Sequence, residues 1–188
     1  MRRVVITQNI TLDGVIEMTR NWFDPTVDTE QGRELAVQTA EHAAASDGFL
    51  VGRKTFESMR SFWPHQVDDQ TGVTEHLNRV AKYVVSSTLE DPRWKGTTVL
   101  RGGRRLVQQI EELTSEEGLD IVLTGSISLS HDLLRAHLVD EIRLFVFPLV
   151  LGAGRRLFPD GWDAPALELL AERRFSEGVV LLRYRVPR

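Results

Sequence analysis

The sequence predicts one α/β domain built on a mixed, mostly parallel sheet with flanking helices and a C-terminal antiparallel hairpin. Short apolar runs of strand length alternate with helix-period segments through most of the chain. The last two strand-like runs are separated by Ser176-Glu177-Gly178, a turn that suits an antiparallel pair. A length of 188 residues holds one sizeable core but not two, so a single domain covers residues 1–188.

The elements follow in order. Val4 to Gln8 is apolar on both faces and reads as a central strand, and Thr11-Leu12-Asp13-Gly14 follows as a turn. Asn21-Trp22-Phe23-Asp24-Pro25 is a loop with two aromatics, Trp22 and Phe23, which either form a lid over a planar ligand or pack on the core. Thr29 to Ser46 is a helix with Leu35, Ala36, Ala40, Ala43 and Ala44 on one face, small residues that imply close approach to a sheet. Gly48 to Gly52 is a buried strand that passes directly into a helix ended by Trp63-Pro64. Val73, Leu77 and Val80 mark a short helix before the strand Lys82 to Val85. A helix over Leu106, Ile110 and Leu113 precedes the strand Ile121 to Leu123, and Leu129, Leu133, Leu134 and Leu138 run along the next helix. Glu141 through Leu151 reads as one long strand, and Ala166 to Phe175 and Val179 to Val186 form the closing hairpin.

Composition narrows the function. Hydrophobic residues at 41% and charged residues at 27% describe a folded chain that is neither disordered nor membrane-embedded. No apolar run reaches bilayer length, and Met1-Arg2-Arg3 leads into too short an apolar stretch for a signal peptide, so a cytoplasmic protein without a membrane partner is expected. The absence of cysteine excludes disulfides, thiolate metal sites and a cysteine nucleophile. A net charge of -4 argues against nucleic-acid binding and leaves room only for a local basic patch. The five histidines lack metal-ligand spacing, so no metal is expected. Gly152-Ala153-Gly154 starts like a dinucleotide fingerprint, but the third glycine position is Leu157 and Pro159 cuts off any helix behind it. Neither a P-loop nor a Gly-x-Ser-x-Gly elbow is present.

What remains is a set of polar strand exits: Asp13-Gly14, Arg53-Lys54-Thr55, Ser86-Ser87 and Thr124-Gly125-Ser126. If the strands are parallel, these exits share the carboxyl edge, where open α/β sheets bind ligands. After Gly52, the helix start at Arg53-Lys54-Thr55 offers unpaired amides, a positive dipole end and two cations. Two readings fit it: an anion site, or a solvated strand-to-helix corner. Likewise Ser86-Ser87-Thr88 either binds phosphate oxygens or shapes a turn.

In this order, Thr11-Leu12-Asp13-Gly14, Leu50-Val51-Gly52-Arg53-Lys54-Thr55-Phe56-Glu57, Tyr83 to Leu89, Ile121 to Ser126 and Leu138 through Gly154 with Leu157-Phe158 resemble the dihydrofolate-reductase-like superfamily. Within it they resemble the group related to the reductase domain of the bifunctional riboflavin-biosynthesis deaminase/reductase. The resemblance spans nearly the whole chain. It implies NADPH lying across the carboxyl edge. Gly52, Arg53, Lys54 and Thr55 would meet the 2′-phosphate and pyrophosphate, Ser86 and Ser87 the region near the adenosine phosphate, and Thr124, Gly125 and Ser126 the pyrophosphate and nicotinamide.

The family's acidic helix residue would fall near Ala36, which transfers no proton; Glu34, two residues earlier on a helix that turns about 100° per residue, is the nearest carboxylate and the catalytic candidate. Ser126 replaces the second member of the family's glycine pair. Asp13 either holds substrate or water as a catalytic residue, or bonds its own turn. The expected protein is an NADPH-dependent reductase that delivers hydride to a small planar heterocycle of pterin or flavin-precursor type. Its rival is a nucleotide-binding or regulatory protein of the same fold without turnover. The apolar stretch from Leu144 to Leu151 and the glycines behind it, as in similar proteins, also imply a homodimer.

Overall fold

The computed structural model describes residues 1–23, 29–67, 69, 71–163 and 166–187. Of the loop expected at Asn21–Pro25, Asp24 and Pro25 lie outside the described residues. Eight strands form one sheet: β1 (Val4–Thr11), β2 (Ser46–Gly52), β3 (Ala81–Val85), β4 (Thr97–Leu100), β5 (Asp120–Leu123), β6 (Glu141–Phe147), β7 (Glu168–Arg174) and β8 (Val180–Arg185). Their spatial order is β4-β3-β2-β5-β1-β6-β8-β7. The first six are parallel, while β8 runs antiparallel to both β6 and β7. The helices are α1 (Glu30–Ala44), α2 (Arg53–Phe62), α3 (Val73–Arg79), α4 (Leu106–Ser115) and α5 (Ile127–Arg135).

Period-two alternation along the strands builds two apolar layers. On one face Val4, Ile6, Leu50, Ile121, Leu123 and Ile142 pack with Ile110 of α4 and Leu133 of α5. On the other, Phe49, Val51 and Val84 pack with Phe56 of α2 and Leu77 of α3. A third group, Phe145, Phe147, Phe175 and Leu181, takes Leu35 of α1 against it. Lys82 ties α3 to β3. Its fully buried ammonium donates to Leu77 O at 2.6 Å and Val80 O at 2.9 Å and sits 5.1 Å from the Trp94 ring centre.

One strand goes unforeseen in the sequence, and two local expectations are corrected. Strand β4 is an edge strand that the apolar pattern does not reveal, because Thr97-Thr98-Val99-Leu100 is too short to show a period. Strand β6 stops at Phe147 rather than Leu151, since Pro148 has no N–H for the ladder and Leu149 N donates back to Phe147 O at 2.8 Å. The alanine face of α1 does not close on the sheet. Ala40 and Ala44 are exposed, Gln38 is the buried residue of the helix, and a cavity separates its alanines from the strands.

At the amino edge, β1, β5 and β6 share an ionic network. Glu141, 1% exposed, accepts from Arg143 Nε at 2.7 Å, Arg183 Nε at 2.8 Å and Arg3 Nη1 at 3.0 Å. Asp120 accepts from Arg3 Nε at 2.9 Å and Arg143 Nη2 at 2.8 Å. Buried charges persist only when paired in this way.

Candidate functional site at the carboxyl edge

Because β1 through β6 are parallel, the segments after Thr11, Gly52, Val85, Leu100 and Leu123 emerge along one edge. Next to each other in the sheet, β2 and β5 lead into α2 and α5, and neither helix has a side-chain cap on its first turn. Ser126 joins the two helix starts. Its Oγ accepts from Gly52 N at 2.9 Å, and its own N–H donates to Thr55 Oγ1 at 3.1 Å. Gly125 and Ser126 both take left-handed backbone, with φ of 63° and 52°. A Cβ on Gly125 would stand 3.0 Å from Thr55 Cγ2, so glycine is what lets the two turns approach. Two dipole ends thus converge with uncapped amides, an arrangement suited to a diphosphate.

Gln8 holds this corner from below. Its amide clasps Gly125 on both sides, with Nε2 donating to Gly125 O at 2.9 Å and Oε1 accepting from Gly125 N at 3.2 Å. In the sequence Gln8 shows only as part of a strand, and its signal is a polar side chain within a buried apolar run. A second addition is Gly102-Gly103 at the exit of β4, consecutive glycines with φ of 63° and 59°. Exposed Arg101, Arg104 and Arg105 flank them. Together with exposed Lys54 and Arg53, which pairs with Glu57 at 3.2 Å, they make this edge cationic although the chain is acidic.

The remaining sequence candidates occupy distinct surroundings. Ser86 is buried, its Oγ accepting from Thr88 N at 3.2 Å and Leu89 N at 3.0 Å, whereas Ser87 is exposed. Thr124 lines the cavity described below. Asp13 accepts from Thr11 Oγ1 at 2.6 Å, Gly152 N at 2.8 Å and Leu151 N at 3.3 Å, fastening the exit of β1 to the segment after β6. Those bonds, the Thr11 hydroxyl foremost, lower its pKa to about 2. Glu34 accepts from Ser176 N at 2.7 Å, and that bond lowers its pKa. Trp22 and Phe23 are half-buried, edge-on to Phe147 at 5.5 and 5.4 Å.

Two cavities follow α1. One of about 260 Å³ is lined by Trp22, Phe23, Leu35 and Phe147. The other, about 370 Å³, lies between α1 and α3 over Thr7, Phe49, Val122 and Phe145 of the sheet. They share Thr39, Thr71 and Val73. The larger also touches Thr124 and Met59, one residue from Gly125 and one helical turn from Thr55, so it adjoins the anion corner.

Half-buried His42 stands in the wall of the larger cavity. Desolvation first, then Arg143 and Arg183, lower its pKa from 6.5 to about 4. The folded chain therefore takes up this proton later than the unfolded chain. The associated stability is present above pH 6.5 and is lost as pH falls towards 4. Urea midpoints should accordingly drop between pH 7 and 5, and His42→Gln should make that drop shallower, leaving the share of His76, whose pKa burial also lowers.

Among the described residues no helix is long and apolar enough to cross a membrane, and no cluster of His, Cys, Asp or Glu has the makings of a metal site. Over 186 residues the chain is 30% identical to the uncharacterized protein YyaP of Bacillus subtilis (strain 168), covering 97% of this chain and 94% of that one. A solved putative riboflavin biosynthesis protein from Shewanella sp. PV-4 superposes with a TM-score of 0.71 at 19% identity, covering 99% of both chains. Dihydrofolate reductase from Enterococcus faecalis, solved in complex with NADP(H), superposes with a TM-score of 0.64 at 17% identity, covering 99% of this chain and 97% of that one. The sequence model of the RibD C-terminal domain matches residues 2–181. With the mixed sheet and its closing antiparallel hairpin, this match shows that the chain belongs to the RibD C-terminal domain family, on a dihydrofolate-reductase-like fold.

Proposed function

We propose that the protein is an NADPH-dependent reductase acting on a small planar heterocycle, with the dinucleotide held across the carboxyl edge. The observation that carries this is the meeting of two uncapped helix starts through Ser126, Gly52 and Thr55. The residues fit the group: amides of the first turns of α2 and α5 suit the pyrophosphate, and Arg53 and Lys54 suit a 2′-phosphate. Ser87 and the glycines at 102 and 103 leave room for the adenosine. When bound, the cofactor supplies hydride; the protein's part is a dry pocket that aligns the acceptor, which needs no strong acid. Asp13 and Glu34 serve the site as positioning residues. The first fixes the rim after β6, and the second fixes α1 against the closing hairpin.

Calorimetric titration tests the cofactor. NADPH should bind more tightly than NADH, and Arg53→Ala and Lys54→Ala should each cost NADPH about ten- to a hundredfold while barely changing NADH, since a hydrogen bond to a charged group contributes about 1.5–3 kcal/mol. Equal binding of both cofactors would remove the roles of Arg53 and Lys54; binding of neither would remove the reductase reading.

One observation favours the rival reading, a nucleotide-binding protein without turnover: the nearest helix carboxylate, Glu34, is taken up by the Ser176 amide. NADPH oxidation against pterins, flavin precursors and quinones separates the two. We also propose a homodimer. Leu144, Phe145 and Phe147 are consumed by the chain's own core, which leaves exposed Val150 and Leu169 as apolar contacts for a second copy. A monomer mass by light scattering at micromolar concentration would refute it.

A further inference from the structure

Gln8 is buried on the face of β1 that also carries Val4 and Ile6. The pairing of β1 with β5 ends at Ile6 and Leu123, where the chain after β5 leaves the ladder. One step further on, the Gln8 side chain stands in for a strand partner. Gly125 N can only donate and Gly125 O can only accept, so the amide has one orientation: Nε2 on the carbonyl at 2.9 Å and Oε1 on the N–H at 3.2 Å. Ser130 Oγ also reaches Gly125 O, at 3.4 Å, but among the described residues the Gly125 N–H has no partner besides Gln8. Holding both polar groups of one residue fixes the peptide planes on either side of it. Those planes lead into Ser126, whose φ of 52° is uncommon for a residue with a side chain and whose two bonds join α2 to α5. The Gly52, Gly125 and Ser126 N–H groups are thereby spent within the corner. The later amides of both first turns are left for a diphosphate, and their direction follows from the turn that Gln8 holds.

We propose that Gln8 is a positioning residue for the dinucleotide: acting through Gly125 and without touching the cofactor, it sets the direction of the first-turn amides of α5. This role rests on the reductase reading, because dinucleotide affinity is what Gln8 governs. The chemistry it requires is narrow. An amide, or a protonated acid of the same length, donates to Gly125 O and accepts from Gly125 N at once, whereas a carboxylate has only acceptors and repels the carbonyl.

Calorimetric titration of acid-stable NADP+ between about pH 5 and pH 8 compares the parent protein with Gln8→Glu and Gln8→Met. The variant-to-parent ratio of Kd cancels the protonation of the 2′-phosphate itself, which falls at roughly pH 6. Gln8→Glu should bind about tenfold more weakly than the parent at about pH 8, and the ratio should close to about threefold or less at about pH 5. There the acid form restores the bonding pattern, since burial beside a carbonyl raises the carboxyl into that range. Gln8→Met is of similar length with no donor or acceptor for Gly125, and should bind about tenfold more weakly throughout, with no recovery in acid. It should weaken NADH as much as NADPH, because the turn serves the diphosphate common to both, and it carries the test if Gln8→Glu fails to fold. A Gln8→Glu ratio that does not change with pH, parent-like binding by Gln8→Met, or a loss confined to NADPH would overturn the proposal. A parent protein that binds no dinucleotide would sink the reductase reading; a parent that binds NADP+ beside variants that bind it equally well would spare that reading and sink this one.

Discussion

Replacing Glu141 by glutamine is expected to cost about 3–5 kcal/mol, because it leaves Arg3, Arg143 and Arg183 around a group that no longer balances them. For a chain of this size that is a melting point lower by roughly 6–20 °C. Arg183→Met should cost much less, since the Arg183 side chain is 31% exposed and its loss leaves Glu141 with two cations. The same network sets an acid limit. Despite burial, which pushes the other way, its hydrogen bonds to Arg143 and Arg183 hold Glu141 at about 2, against an ordinary 4.5. Its contribution is complete above pH 4.5 and is lost as pH falls through 2, a total of about 3 kcal/mol. Acid unfolding of Glu141→Gln should lack that segment of the curve. Equal melting points for Glu141→Gln and the parent protein would show that the network contributes nothing net.

Gly125→Val should all but abolish NADPH binding, by about a hundredfold or more, while the chain still folds. A branched side chain at φ 63° costs of order 1–3 kcal/mol in backbone strain. Its Cβ would also press on Thr55 Cγ2 at 3.0 Å and drive apart the helix starts that Ser126 joins. Gly72→Val is the control. Its φ of 74° brings the same strain, but nothing lies within 4 Å of the added atom, so stability should fall without loss of cofactor. Were both variants to bind NADPH like the parent, the corner would not be the cofactor site.

Much of the fold was legible in the residue order. Strands β1, β2, β3, β5 and β6 showed as apolar runs because each is covered on both faces, and α2 and α5 showed where those runs gave way to polar exits. Strand β4 did not show, since four residues at an edge need no apolar period. The roles of single polar residues were the hardest to read. Asp13 binds amides 138 and 139 residues away, and Glu34 one 142 residues away.

By itself the sequence determined the α/β class, the polar exits and, through its resemblance to a family, the edge at which they gather. These depend on side-chain period and turn chemistry, which act over a few residues. Only the tertiary structure decided that Ser126 reaches Gly52 and Thr55 across more than 70 residues, that Gln8 clasps Gly125, and that α1 stands off the sheet far enough to leave a cavity. Those outcomes depend on how whole helices seat on the sheet and where the buried hydrogen bonds close, and no local pattern carries that distance.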